Sequence, residues 1–227
     1  ARRLGADKLA RLARAFGLGQ KTGLDLNDEV AGSVPTVGGL RRTTTRPRDP
    51  GHAMSAAIGQ GRVTVTPLQL ALAYAAIANG GRLYHPQLVL RTERADGSLY
   101  RRFKPRLRRR VKISARSLGR VRRALRLAVS HKRGSARGAR VAGWSVSGLA
   151  GSGQGGARGY HRPGAPTHAW FAGYAPAKRP EIAVVVLVQE GGFGDRVAGP
   201  TAAKIFAAYF KQRRAKPLVA TLGTGRR

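Results

Sequence analysis

The stretch that most limits the possible folds is residues 141–154, VAGWSVSGLAGSGQ, where alternating apolar residues run into a loop of Gly, Ala and Ser. Alternation with a period of two predicts a half-buried β-strand. Glycines at the end of a strand leave backbone N–H groups uncovered, and these groups can hold a carbonyl or anionic oxygen. Because the stretch contains no Lys, Arg, His, Asp or Glu, we expect it to act through its backbone and hydroxyl groups.

The charge of the chain predicts an anionic neighbour or a solvated basic surface. Its 227 residues, 42% of them hydrophobic, are enough to bury one core, yet 43 basic residues against 10 acidic ones give a formal charge of +33. Nucleic acid, anionic lipid and anionic wall polymer are all open as partners. Nucleic acid is disfavoured, because the densest basic run, residues 100–126, has only Tyr100 and Phe103 as aromatics and no zinc-ligand spacing.

Several classes of protein and site are excluded by composition. The absence of cysteine rules out disulfides and thiolate catalysis. No apolar run approaches the ~18 residues that a membrane-spanning helix needs, and residues 1–16 lack the apolar centre of a signal peptide. The chain begins without Met, inside a helical pattern, so we expect it to be a piece of a longer protein.

Helix signals are clearest in three places. The spacing of Leu and Phe predicts a helix over residues 1–16. Thr66 can cap a second helix with Pro67 at its first position and Gly80 at its end; this helix is apolar nearly all round, which predicts burial. Ser114 can cap a third, with one apolar face made of Leu118, Val121, Leu125, Ala128 and Val129.

Strand signals flank a turn and then cluster near the end of the chain. A hairpin is predicted where the turn Ala95-Asp96-Gly97 lies between residues 86–94 and 98–103. Two further strands are predicted over residues 168–174 and 181–188. A last helix follows over residues 200–210. We therefore predict the α+β class, an antiparallel sheet covered by helices, with a main body over residues 1–213 and a basic polar tail over 214–227.

Other site motifs are weak. Residues 151–156 satisfy G-x-G-x-x-G, but the Gly and Pro that follow forbid the helix that a dinucleotide site requires. A Ser/His/Asp set could be drawn from Ser152, His161 or His168, and Asp195, although no nucleophile elbow supports it. We expect neither cofactor nor metal. No two histidines are four residues apart on a helix, as a zinc site would need (His52, His85, His131, His161, His168). A group of three acidic residues lacks the spacing of a calcium-binding loop (Asp25, Asp28, Glu29).

Four segments together resemble the C-terminal half of the transpeptidase domain of class B penicillin-binding proteins, closest to the elongation type. They are FGLGQKTGLDL at 16–26, AIGQGRVTVTPLQLALAYAAIANGG at 57–81, THAWFAGYAPAKRPEIAVVVLV at 167–188 and EGGFGDRVAGPTAAKIFAAYF at 190–210. Their order and spacing are kept over about nine tenths of the chain. The resemblance implies the penicillin-binding, serine β-lactamase-like transpeptidase fold, partly represented here, with residues 144–152 on the strand that lines the active-site cleft.

In the family this strand ends in G-K-T-G-[ST]-x-Q, and here the matching residues read GLAGSGQ over 148–154. Leu149 stands in place of the cleft Lys, and Ala150 in place of a hydroxyl residue. The resemblance implies that Ser152 donates its N–H to an oxyanion and its hydroxyl to a substrate carboxylate. It also implies that the substrate backbone approaches at Gly151 and Gly153 and bonds Gln154. A Leu supplies neither the electrostatics nor the proton transfer of a Lys.

The other two family motifs, S-x-x-K with the acylated serine and S-x-N, do not occur in this sequence. In the family they precede the region that Ala1 resembles, so we expect the nucleophile upstream of Ala1 and no catalytic residue in this chain. The resemblance implies peptidoglycan stem peptides, β-lactams and cell-wall synthesis proteins as partners. It also implies a location at the extracytoplasmic face of the inner membrane, with an anchor outside this chain.

Two functions of different classes follow. The first is a peptidoglycan transpeptidase domain that is inactive as this fragment, and the second is a catalytically degenerate binding or scaffold module with a basic face toward anionic lipid or polymer. Nucleic-acid binding is a third reading. Because the family fold takes its central helix from the other half of the domain, we also expect exposed apolar surface on this chain.

Overall fold

The computed structural model of the protein describes residues 5–24, 27–36, 55, 58–154 and 166–215. The named helices and strands lie within these ranges and confirm the α+β class. The helices are α1 (Ala6–Ala15), α2 (Pro67–Ala78), α3 (Ala115–Ser130) and α4 (Ala198–Ala215), with a 3₁₀ turn at Arg137–Ala139. The strands are β1 (Arg82–Tyr84), β2 (Arg91–Glu93), β3 (Leu99–Arg102), β4 (Leu107–Arg110), β5 (Ser147–Gln154), β6 (Thr167–Ala175) and β7 (Ile182–Val188).

Strands β5, β6 and β7 form the central antiparallel sheet, with β6 in the middle and β5 at one edge. One face of this sheet packs against α4. There Phe171 of β6 meets Phe206 of α4 edge to face at 6.4 Å, and Trp144 stacks on Phe210 at 3.7 Å. Phe171, Phe206 and Phe210 are fully buried, and each contributes roughly 1.5–3 kcal/mol of hydrophobic stabilisation.

The opposite face of the sheet is covered by α2 and α3. Tyr174 of β6 is fully buried there, in a cluster with Ala78 of α2 and Leu125 of α3. Helices therefore lie on both faces of the sheet, and the predicted antiparallel sheet covered by helices is confirmed.

The start of α2 confirms the sequence signal and adds an unexpected feature. Thr66 Oγ1 accepts a hydrogen bond from Gln69 N at 3.2 Å, and Gln69 Oε1 accepts one from Thr66 N at 3.3 Å, which makes a capping box with Pro67 at the first helical position. Gln69 is only 1% exposed, and its Nε2 donates to Gln20 O at 2.8 Å and Ala31 O at 2.9 Å. One of the most buried positions of this apolar helix is therefore polar.

Three sequence expectations were wrong in detail. The Gly-rich segment after residue 147, which its composition predicted to be a loop, is a strand, because all of Ser147–Gln154 pairs with β6, as the resemblance implied for residues up to 152. Val121, expected on the apolar face of α3, is 39% exposed, since that helix buries only a narrow stripe of Leu118, Leu125 and Val129. The last helix begins two residues earlier than predicted and ends five residues later, at Ala215.

The predicted hairpin is present but short, and its turn has Gly97 at φ 80°, a conformation that favours glycine. Several large apolar side chains are exposed, among them Ile58, Leu88, Leu90 and Phe193 at 65–75%. That the other half of the domain leaves apolar surface exposed on this chain stays a prediction. None of the described helices is both long enough and apolar enough to span a bilayer.

Candidate functional site

The candidate site lies along β5, the edge strand of the central sheet. The register with β6 runs without interruption from Ser147 opposite Tyr174 to Gln154 opposite Thr167. Gly148 makes this pairing possible, because a Cβ there would lie 2.5 Å from Phe171 Cζ and 2.8 Å from Ala172 O. Glycine is thus required by the close approach of β6.

The side chains of β5 alternate between the two faces of the sheet. Ala150 packs against the α4-side core that contains Phe171. Leu149 points to the other face, the one that Ser147 and Tyr174 share, and it is 45% exposed. The Leu149 side chain, which the resemblance sets at the position of the family Lys, is therefore accessible on the face opposite α4, and it carries no charge.

Ser152 is held by two contacts from distant parts of the chain. Its Oγ accepts a hydrogen bond from Gly194 N at 3.2 Å, and its carbonyl oxygen accepts one from Gln60 Nε2 at 3.4 Å. A hydroxyl that accepts one bond keeps its own hydrogen for another partner. Gly194 has to be glycine, since a Cβ there would come within 2.2 Å of Gly151 O and 2.4 Å of Trp170 O.

The backbone of Ser152 faces the open edge of the sheet. In an antiparallel ladder the N–H and C=O of one residue point the same way, alternating between the partner strand and the opposite side. Since the Ser152 carbonyl meets Gln60 and not β6, the Ser152 N–H lies on the open edge as well. A donor in this position can polarise a carbonyl or stabilise an oxyanion.

The remaining residues of the predicted site have simpler positions. Gly151 and Gly153 share the face of Leu149, and a Cβ added at either would have its nearest neighbour at 3.9 Å and 3.5 Å respectively, so this face is open to a ligand. Gln154 is the last residue of β5, opposite Thr167, and its side chain lies outside the described part of the structure.

The candidate Ser/His/Asp set is not assembled as a proton relay. His168 Nδ1 accepts a hydrogen bond from Glu190 N at 2.9 Å, and Asp195 Oδ1 accepts one from Gly138 N at 2.9 Å. Both side chains thus fix the 190–195 loop. His161 lies outside the described residues.

No group of three or more His, Cys, Asp or Glu side chains among the described residues is arranged to hold a metal. Of the acidic group, Asp25 lies outside the described residues, and Glu29 accepts bonds from Thr22 N at 2.5 Å and Gly23 N at 3.1 Å. Partial desolvation raises the pKa of Glu29, but these bonds and the Thr22 hydroxyl outweigh it and lower that pKa.

A literal K-T-G tripeptide, Lys21-Thr22-Gly23, lies outside the site. Thr22 is 1% exposed, and its N–H and that of Gly23 are occupied by the Glu29 carboxylate. These amides are not available to a ligand, so the tripeptide plays a structural part.

Gln60 and Gly194 are site residues that reasoning about chemical motifs missed. Gln60 lies in the IGQG segment and Gly194 in the EGGFGD segment, both of which the sequence analysis used only to establish the resemblance. No local signal places these residues beside Ser152, because Gln60 is 92 residues away and Gly194 is 42 residues away.

The fold with its open β5 edge is of the penicillin-binding transpeptidase class. The family model described as the penicillin binding protein transpeptidase domain matches residues 1–209, so the chain belongs to this family. The match includes β5 with Leu149 and all of the described elements up to most of α4.

Curated relatives agree with this assignment. The peptidoglycan D,D-transpeptidase MrdA of Haemophilus influenzae is 31% identical over 225 residues, covering 92% of this chain and 34% of the relative. The stage V sporulation protein D of Bacillus subtilis is 32% identical over 223 residues, covering 95% of this chain and 32% of the relative. The chain therefore spans about one third of the length of the curated relatives it matches.

Solved structures show the same fold. Penicillin-binding protein PBP2 of Pseudomonas aeruginosa superimposes with a TM-score of 0.71 at 31% identity, over 91% of this chain and 43% of that one. Penicillin-binding protein A of Mycobacterium tuberculosis, in a cephalosporin acyl-enzyme complex, gives 0.68 at 29% identity, over 88% and 43%. A complex of Helicobacter pylori PBP2 with MreC gives 0.72 at 24% identity, over 92% and 37%, a likeness of fold alone.

Proposed function

We propose that this chain is the cleft-forming C-terminal part of a peptidoglycan D,D-transpeptidase domain of the elongation type. The observation that carries the proposal is the open β5 edge, where the Ser152 N–H and carbonyl lie between Gly151, which is exposed, and Gly153, which is partly buried. A D-Ala-D-Ala stem peptide, or a β-lactam in its place, would lie along this edge with its carbonyl oxygen at the Ser152 N–H. Family membership supports this choice of substrate class.

The chain supplies substrate positioning and not the acyl-transfer groups. It contains no S-x-x-K or S-x-N, and Leu149 offers no charge to the cleft. In this proposal the Ser152 hydroxyl, anchored by the Gly194 N–H, donates its own hydrogen to the carboxylate of the bound peptide. Gly151 and Gly153 leave room for the peptide backbone, and Gln154 extends the edge.

Fluorescent penicillin tests the chemistry. We expect no covalent adduct on the 227-residue chain, and an acid-stable labelled band at its mass would contradict this. In a protein that also carries upstream S-x-x-K and S-x-N motifs, Leu149→Lys should raise the acylation rate by about 10²-fold, since it restores a cation to the cleft. Leu127→Lys, at a similarly exposed position on α3, adds the same charge away from the strand and should leave the rate unchanged.

A degenerate binding or scaffold module is the second candidate, and the apolar pair Leu149 and Ala150 favours it. The upstream reading frame separates the two. Intact S-x-x-K and S-x-N motifs would support an enzyme with an altered third motif, whereas their loss would support the scaffold. In both cases we propose a location in the cell envelope and contacts with cell-wall synthesis proteins. Nucleic-acid binding is the third candidate. It would be supported if the chain bound duplex DNA and an unrelated basic protein of similar charge did not show the same binding curve.

A further inference from the structure

Residues 82–110 form a continuous two-stranded ribbon, here called the basic ribbon. Strands β1 and β4 pair at its base, and β2 and β3 pair toward the turn at Asp96-Gly97. Between these pairs the two segments stay joined by hydrogen bonds from His85 N to Arg106 O at 2.9 Å and from Phe103 N to Leu90 O at 3.0 Å. No third strand among the described residues pairs with β2 or β3.

Large apolar side chains are exposed on this ribbon. Leu88 is 70% exposed, Leu90 71% and Tyr100 66%, and Val89 and Leu99 are about half exposed. A two-stranded ribbon without a covered face is marginal in water, and a group of exposed apolar side chains usually marks an interaction surface. The ribbon thus has the composition of a contact surface.

Positive charge is concentrated on the same ribbon at an energetic cost. From residue 82 to residue 112 the chain has eleven Lys and Arg against two acidic residues, Glu93 and Asp96. Arg82 lies directly opposite Arg110, whereas Arg91, which lies opposite Arg102, forms an ion pair with Glu93. Like charges at directly opposite positions destabilise a strand pair, so a bound anion would stabilise the ribbon.

A cavity of about 470 Å³ beside the ribbon gathers four of these cations. It is lined by Arg101, Arg102, Lys104 and Arg106, together with His85 and four further residues (Gly23, Pro86, Gln87, Phe103). None of the four cations has an acidic partner among the described residues. Burial, then the charges of Arg106 and Arg108, lower the pKa of His85.

The presence of both cations and exposed apolar side chains on the basic ribbon distinguishes between possible anionic partners. A soluble polyanion would use the arginines but would leave Leu88, Leu90 and Tyr100 in water. A bilayer surface uses both sets, because phosphate headgroups take the cations and the interface takes Leu and Tyr side chains. We propose that the basic ribbon is a membrane-surface contact that binds anionic phospholipids, with a headgroup phosphate in the cavity and Leu88, Leu90 and Tyr100 in the interface.

This inference goes beyond the transpeptidase proposal, because it concerns another part of the chain and does not depend on β5. Vesicle flotation at ~150 mM salt tests it, with phosphatidylcholine alone and with phosphatidylcholine plus phosphatidylglycerol at about 7:3. We expect the 227-residue chain to float with the anionic vesicles and not with the neutral ones. Failure to float with either would overturn the inference and leave a protein segment as the cover of the ribbon.

Two ribbon variants and two matched variants on α3 locate the contact. Leu88→Ser with Leu90→Ser, and separately Arg101→Gln with Arg102→Gln and Arg106→Gln, should each weaken binding at least about tenfold. The controls remove similar groups from exposed positions of α3: Val121→Ser with Leu127→Ser, and Arg116→Gln with Arg120→Gln and Arg123→Gln. These should change binding less than about threefold.

Each other pattern of results contradicts the inference. Equal losses in the α3 arginine variant would mean attraction to the net charge alone. A loss in the ribbon arginine variant without a loss in the leucine variant would mean a site for soluble polyanions. Tyr100→Trp adds an independent readout, since its fluorescence should shift to the blue only with anionic vesicles. Near-UV circular dichroism from Trp144 and Trp170 checks that every variant keeps the folded sheet.

Discussion

Gly148 shows how one residue sets the geometry of the β5 edge. Its missing Cβ leaves space for the Phe171 ring and the Ala172 carbonyl of β6. We predict that Gly148→Ala lowers the free energy of unfolding by roughly 1–3 kcal/mol, because the methyl group forces the strand pair apart in a packed core. Urea denaturation followed by far-UV circular dichroism measures the change.

Gly119 is the matched control for this substitution. It lies inside α3, and a Cβ there meets no atom within 4 Å. Gly119→Ala should therefore raise stability by roughly 0.5–1 kcal/mol, since alanine favours the helix. If both substitutions shifted the midpoint in the same direction, the close approach of β6 to Gly148 would not be the reason for the glycine.

The chemistry of the site residues was readable in part from the sequence. The prediction that Leu149 stands at the position of a missing cation rests on the glycines around it, which keep the family spacing. The contacts of Ser152 could not be predicted, since Gln60 is 92 residues away and Gly194 is 42 residues away. Such contacts depend on how loops fold over the sheet edge, which local patterns do not encode.

Helix α2 shows which features local sequence signals predict and which depend on long-range packing. The capping box and Pro67 are local, and the sequence predicted the cap and the proline correctly. The part played by Gln69 was not predicted, although its side chain carries the contacts to Gln20 and Ala31. In β5 the local signal was misleading. Its glycine composition predicted a loop, but pairing with all of β6 holds the segment as a strand.

We predict that Gln69→Leu destabilises the protein by roughly 2–4 kcal/mol. The substitution keeps side-chain volume but leaves the carbonyls of Gln20 and Ala31 without their donor, and it breaks the capping box with Thr66. Thermal unfolding by calorimetry gives the change. Gln87→Leu removes an amide that makes one bond, to Lys104 O, at an exposed position. It should cost less than about 0.5 kcal/mol, and a similar loss in both variants would count against the buried network.

For the molecule as a whole, the sheet with helices on both faces was predictable, but the distribution of charge was not. The periodic apolar pattern fixes which faces of the helices and strands are buried. It does not show that arginines such as Arg82 and Arg110 meet across a ladder, because register depends on the pairing of distant segments. The structure therefore shows which like charges lie close enough to repel one another, and a count of charges does not.

This repulsion makes stability dependent on salt. With a formal charge of +33, the folded chain places like charges closer together than the unfolded chain does, and added salt screens them. We predict that the midpoint of thermal unfolding rises by several degrees between ~0.1 M and ~1 M NaCl, as the screening length falls from ~10 Å to ~3 Å. Arg120→Glu with Arg123→Glu, on the exposed side of α3, lowers the formal charge by four and should reduce the slope of the midpoint against salt. If the midpoint of thermal unfolding fell as NaCl was added, attractive ion pairs would outweigh the repulsion. If the variant had the same slope of midpoint against salt as the original chain, net charge would not be the cause of the salt effect.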